Sequence, residues 1–160
     1  MNGSLSSVKK IVEDLNSAQL DGKTGELTSS RRSANHPEVV IAPPSIYLLQ
    51  VQEAIKAPVQ VSAQNAYTEF KGAFTGEISP EQLKDANIHW VILGHSERRA
   101  LFGDTDKFVA DKVKAAIAAG LSVIACVGES LEEREKNITM EVVERQLEAI
   151  SNEIKEEDWK

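Results

Sequence analysis

Cys126 is the only cysteine in this chain, so no disulfide can form within it. Without a CxxC pair, thiolate metal clusters are excluded as well. Histidine is nearly as scarce, and His36, His89 and His95 are too scattered to mark a zinc site. Long apolar runs are missing: no stretch approaches the roughly 20 residues of a membrane span. The N-terminus also lacks the charged start and apolar core of a secretory signal, so the expectation is a soluble, cytoplasmic protein. Basic residues do not dominate either. With 25 Asp and Glu against 18 Lys and Arg the formal charge is −7, which argues against nucleic acid and anionic membrane as partners. GxGxxG occurs nowhere, which removes the simplest mark of a dinucleotide-binding module. Gly22-Lys23-Thr24 imitates the end of a phosphate loop, but Ser17 stands where that motif needs glycine. What is present, 41% hydrophobic residues in a chain of 160, suffices for one ordinary core and reads as one domain over residues 1–160.

Residues 4–17 place Leu5, Val8, Val12 and Leu15 on one helical stripe, with Ser4 available as N-cap. The polar, Ser- and Gly-rich stretch 21–37 shows neither hydrophobic period and reads as a disordered insertion. Beyond it, four apolar β-rich runs at 38–42, 59–63, 89–93 and 122–127 alternate with helical patterns. The runs are almost continuously apolar, as in a parallel sheet covered by helices. Ser45 is read as the cap of a helix to about residue 56, and Ser79-Pro80-Glu81-Gln82 as a capping box with proline at its first position. Thr105 is read as the cap of a long helix ending at Gly120, with Val109, Val113, Ala116 and Ile117 facing inward. Ser130 to Glu133 form a further capping box. The last helical pattern, 141–155, repeats Val143, Leu147, Ile150 and Ile154 on one face. Cys126, inside the apolar run VIACVG, reads as a buried structural thiol.

Chemistry concentrates at Trp90-Val91-Ile92-Leu93-Gly94-His95-Ser96-Glu97-Arg98-Arg99, where an apolar strand ends at a glycine and a helix begins at once. An imidazole beside a helix N-terminus reads as a neutral hydrogen-bonding group, with Glu97 close by. The run ILGHSERR resembles the signature of the triose-phosphate isomerase family. Ala63-Gln64-Asn65-Ala66-Tyr67, Gly72-Ala73-Phe74-Thr75-Gly76-Glu77 and Cys126-Val127-Gly128-Glu129 agree with it in order and spacing.

The resemblance implies an α/β fold, a partial (β/α)8 TIM barrel whose four parallel strands and outer helices are its second to fifth units. It implies a cofactor-free and metal-free interconversion of dihydroxyacetone phosphate and glyceraldehyde 3-phosphate, in glycolysis and gluconeogenesis. His95 resembles the electrophile that polarises the substrate carbonyl. Ser96, Glu97, Glu129, Cys126, Asn65 and Gln64 resemble residues that support it. The loop 65–79, with Phe74, Thr75, Gly76 and Glu77, resembles the loop that enters the partner of a homodimer, and Glu77 and Arg98 an ion pair around that interface. The family's lysine would precede Met1, and its catalytic glutamate, lid and phosphate turns would follow Lys160, so the resemblance implies that this chain alone is inactive. Two other readings stand beside it: a non-catalytic half-barrel that associates with other subunits, and an open-sheet α/β binding module. Strand order separates the last from a barrel, because a doubly wound sheet carries helices on both faces.

Overall fold

The computed structural model describes residues 3–18 and 38–159, so the 21–37 insertion lies outside the described residues. Four short strands, β1 (Val40–Ile41), β2 (Gln60–Ala63), β3 (Trp90–Leu93) and β4 (Ser122–Ala125), make one sheet in the order β1-β2-β3-β4. Every pairing is parallel. Each strand lies beside its predecessor, and right-handed crossovers between such neighbours put all connecting helices on one face. This is the arrangement of four consecutive barrel units, and the strand-order reversal of a doubly wound sheet is absent among the described residues.

Register divides the sheet into two unlike faces. Ile41 pairs with Val61, Ala63 with Val91, and Leu93 with Ala125. On this face Val91 and Leu93 are fully buried, and with Val109, Val113 and Leu83 they form the core beneath the helices. Alternation sends Val40, Gln60, Ser62, Trp90, Ile92 and Ile124 to the opposite face. There Trp90 Nε1 donates to Gln60 Oε1 at 2.9 Å, while Ile124 remains 37% exposed. Ile41 does not share that face with Ile124. Instead it packs against the core, because its register partner Val61 belongs to the helix-covered side.

The helices follow their caps. In α1 (Leu5–Ser17) the Ser4 hydroxyl accepts from the Ser7 amide, and Val8 and Val12 are buried. The capping box at Ser79 opens α3 (Pro80–Asp85), with Ser79 N donating to Gln82 Oε1 at 2.8 Å. Ser45, by contrast, caps nothing. Pro44 holds the chain extended, a 3-10 turn over Ser45–Tyr47 takes up the change of direction, and α2 (Leu48–Ala54) starts only afterwards. The junction helix α4 (Ser96–Phe102) ends at Gly103 in a left-handed conformation. Thr105 caps α5 (Asp106–Ala118), and the Ser130 box opens α6 (Leu131–Glu135). In the last helix, α7 (Thr139–Ser151), the buried residues are Val142, Gln146 and Ile150. The expected face had Val143 and Leu147, yet Leu147 is 39% exposed. Gln146 is held inward by hydrogen bonds to Gly128, so Val142 and Gln146 take the buried places expected of Val143 and Leu147, while Ile150 is buried as expected.

Among the described residues β1 and β4 each pair on one side only, and the face carrying Trp90, Ile92 and Ile124 has no covering layer. Unpaired strand edges beside apolar surface favour association. The purified chain is therefore expected to self-associate as its concentration rises, read by light scattering after size exclusion at several loadings. A sharp monomer whose mass does not change with concentration would contradict this.

Candidate functional site

Gly94 is the hinge of the site. Its φ of +78° suits glycine, and an added Cβ would meet Val109 Cγ1 at 2.8 Å and the Cys126 carbonyl at 3.0 Å. The sharp turn that follows makes His95 the N-cap of α4, where Nδ1 accepts the Glu97 backbone N–H at 3.3 Å. In the neutral ring that bond leaves the proton on Nε2, which becomes a donor. Half of the His95 side chain is exposed, and it lines an open cleft of about 840 Å³. Glu97 Oε2 lies 3.6 Å from Nδ1, too far for a hydrogen bond, and its side chain is 76% exposed. Ser96, the first residue of α4, is exposed.

The cleft is bounded by α1, by the chain after β1 and by the loop after β2, with Gln64, Asn65, Gly76 and Glu77 on its wall. Gln64 Nε2 donates to the Ala42 carbonyl at 2.8 Å and so ties the ends of β2 and β1 together. The loop 65–79 is closed at its base by Tyr67 N donating to Ile78 O at 2.9 Å. Its Phe74 ring packs against Tyr67 at a tilt of 46° with centroids 4.8 Å apart, and Tyr67 meets the Phe108 ring of α5 edge-on at 6.0 Å. Thr75 and Gly76 stay exposed at the tip.

Beneath His95 lies a charged cluster that sequence patterning did not reveal. Lys112 of α5 is 1% exposed, and its ammonium donates to Asp104 at 2.7 Å and to Asn65 Oδ1 at 3.2 Å, over the Phe108 ring at 4.4 Å. Asp104 also receives Arg98 Nε at 2.9 Å. Burial works to raise the Asp104 carboxyl, but the hydrogen bonds from Arg98 and Lys112 outweigh it and hold the group below its ordinary range. Burial likewise pushes Lys112 down, against the pull of Asp104. Within the chain, then, Arg98 is engaged by Asp104. No ion pair with Glu77 forms among the described residues.

The turn after β4 lies outside the lining of this cleft. Cys126 is half-buried, not buried as expected, because it stands at the end of the strand with the uncovered face. Desolvation pushes its thiol up, opposed by the charge of Arg99. Glu129 is held below its usual range by a backbone hydrogen bond first and by Arg134, whose Nε lies 2.7 Å away, second. Gln146 braces this turn from below. Its Oε1 accepts Gly128 N at 2.8 Å and its Nε2 donates to Gly128 O at 3.1 Å, a side-chain amide acting as a strand partner. Gln146→Ala leaves both backbone groups unpaired in a site whose side chain is 4% exposed. The expected cost is about 1–3 kcal/mol in urea unfolding. An unchanged midpoint would show that water replaces the amide without loss.

A sequence model described as triosephosphate isomerase matches residues 1–160, that is, the whole chain. The chain belongs to the triosephosphate isomerase family. It is 50% identical over 159 residues to the triosephosphate isomerase of Emericella nidulans, covering 99% of this chain and 59% of that relative. With the Coprinopsis cinerea enzyme of the same name it shares 53% over 156 residues, 98% of this chain and 57% of the relative. For the Saccharomyces cerevisiae triosephosphate isomerase the figures are 49% over 160 residues, 99% and 58%. The chain thus spans a little under three fifths of the curated relatives it matches. Of the residues that the triosephosphate isomerase resemblance singled out, the structure gathers His95, Glu97, Gln64, Asn65, Glu77 and Arg98 round one cleft. Cys126 and Glu129 form the turn beyond β4, and Thr75 and Phe74 lie on the exposed loop. Of the residues that hold this arrangement in place, Asp104, Lys112, Asp106 and Gln146 escaped the reading of the sequence, and Arg99 entered it only as part of the strand-to-helix run. One signal was there: Arg98, three residues into α4, is a cation close to the helix start, where it opposes the dipole and calls for a carboxylate partner.

Proposed function

We propose that this chain carries the His95-bearing half of a triose-phosphate isomerase, which interconverts dihydroxyacetone phosphate and glyceraldehyde 3-phosphate. One observation carries the reading: Nδ1 of His95 is occupied by the Glu97 backbone N–H, so the neutral ring offers an Nε2 proton in a cleft large enough for a small phosphorylated sugar. Proton transfer α to a carbonyl develops charge on the carbonyl oxygen, and a fixed neutral donor stabilises that charge. In this reading His95 is the electrophile, Ser96, Glu97 and Glu129 shape its surroundings, and Gln64 and Asn65 hold the loop bases. Cys126 packs at the end of β4. The same reading makes the protein a cytoplasmic homodimer joined through the loop 65–79. It is supported by the exposed apolar side chains of Phe74 in that loop and of Leu101 and Phe102 at the end of α4, and by a lone unpaired cysteine.

The test is a chimera in which residues 38–160 replace the matching residues of the Saccharomyces cerevisiae relative. Turnover of glyceraldehyde 3-phosphate in a coupled assay is expected, with kcat falling about a hundredfold or more in His95→Asn. A folded chimera whose rate ignores that substitution would refute the assignment.

A further inference from the structure

We propose that Arg99 is the positioning residue for His95, its guanidinium taking over from the backbone ladder at the point where β3 and β4 part. This rests on the reading of His95 as the polarising group.

The last ladder bond between the two strands runs from Cys126 N to Leu93 O at 2.8 Å. In a continued parallel ladder the next donor, to the Cys126 carbonyl, would be the backbone N–H of His95. Gly94 turns the chain away before that bond can form. Arg99, one turn into α4 and 15% exposed, fills the gap from the side. Its Nη2 reaches the Cys126 carbonyl at 3.4 Å, and its Nε donates to the Gly94 carbonyl at 2.8 Å. One planar group thus holds the residue before His95 and the residue that opens the Glu129 turn. The spacing between the imidazole and that turn is set by a rigid fork and not by flexible loop backbone.

The fork is anchored in turn. Nη1 of Arg99 meets Asp106 Oδ1 at 2.5 Å, and Asp106, the first residue of α5, receives Arg145 Nε of α7 at 2.8 Å on its other oxygen. Asp106 is well placed on electrostatic grounds as well, since a carboxylate in the first turn suits the helix dipole. A residue needed only for stability could have bonded any carbonyls. Arg99 bonds the two that flank the site.

The test uses the 160-residue chain labelled with 15N histidine, at a pH where imidazole is neutral. The wild type is expected to give the Nε2–H tautomer for His95, and Arg99→Met a mixture with the Nδ1–H form as the turn loosens. Arg99→Lys keeps the charge but lacks the fork, so it should stay near wild type in the rate of Cys126 alkylation and still show the mixed tautomer. Arg99→Met should slow that alkylation several-fold, because the positive charge opposing the thiol's desolvation is lost. Should both variants fail to fold, Asp106→Asn releases the anchor while retaining Arg99, and the same change of tautomer is expected. A folded Arg99→Lys or Asp106→Asn whose His95 spectrum matches wild type overturns the proposal. No readout involves a triose phosphate, so the positioning role and the proposed reaction stand or fall separately.

Discussion

Purified as the 160-residue polypeptide, the chain is expected to isomerise triose phosphates at least about ten-thousand-fold more slowly than its full-length relatives. The reaction needs a base at the carbon and a polarising donor at the oxygen, held apart across the substrate. Among the described residues that line the cleft, the ionisable ones are Glu77, His95, Glu97 and Arg98. Arg98 is committed to Asp104. Glu97 stands beside Nδ1, on the edge of the ring turned towards its own helix, and both it and Glu77 are exposed to water. A hydrated carboxylate on the wrong side of the donor is a poor base for this geometry, and single catalytic groups are each worth factors of roughly a hundred to ten thousand. A coupled assay on protein from a host lacking the enzyme measures this. Appreciable turnover that disappears in both His95→Asn and Glu97→Gln would show that Glu97 serves as base after all.

Asp104→Asn is expected to be the most damaging conservative change to stability. The carboxylate is 2% exposed and accepts from both Lys112 and Arg98, so its neutralisation leaves two cations without their counter-charge, one of them buried. Breaking such a pair costs about 3–5 kcal/mol, read as a fall in urea midpoint at neutral pH and constant protein concentration. Asp104→Asn combined with Lys112→Met removes the stranded charge and should recover part of the loss. A double variant no better than the single one would place the damage in packing and not in charge.

The pH dependence has a definite sign. Asp104 is held below the ordinary aspartate value of 3.8, so the stability it contributes is present above that value. It is lost as the pH falls through the lower value of the folded state. Asp104→Asn should lack this part of the acid limb. In that variant Lys112 is pushed further down by its burial, and a lysine depressed in the folded state costs stability wherever it is protonated. Stability of the variant should therefore recover as pH rises towards about 10.4, where the unfolded chain also loses the proton.

The parallel sheet and its helices were legible in the sequence because they depend on local signals. Apolar runs such as VILG, capping boxes at Ser79 and Ser130, and the stop at Gly120 each state their structure within a few residues. Ser45 misled because a hydroxyl after two prolines looks like a cap, whereas the prolines delay the helix. Val143 and Leu147 misled because hydrophobic periodicity cannot know that a glutamine will be paid for in hydrogen bonds by a backbone 18 positions away. The cluster of Asp104, Lys112 and Asn65 was illegible for the same reason. Its members are spread along the chain, and a lone lysine in an amphipathic helix reads as solvent-facing until the fold closes over it.

The strand pairings taper across the sheet, from four register pairs between β3 and β4 to two between β2 and β3 and two between β1 and β2. Helices α5 and α7 pack together on the broad side, and α1 and α2 on the narrow one. Amide exchange is consequently expected to be graded along the sheet, with protons in β1 and α1 leaving through small local openings and those in β3, β4 and α5 only as the whole chain unfolds. His95 and Arg99 sit on the slow side of that gradient and the loop 65–79 spans it, so the chemistry has a stiff floor and one yielding wall.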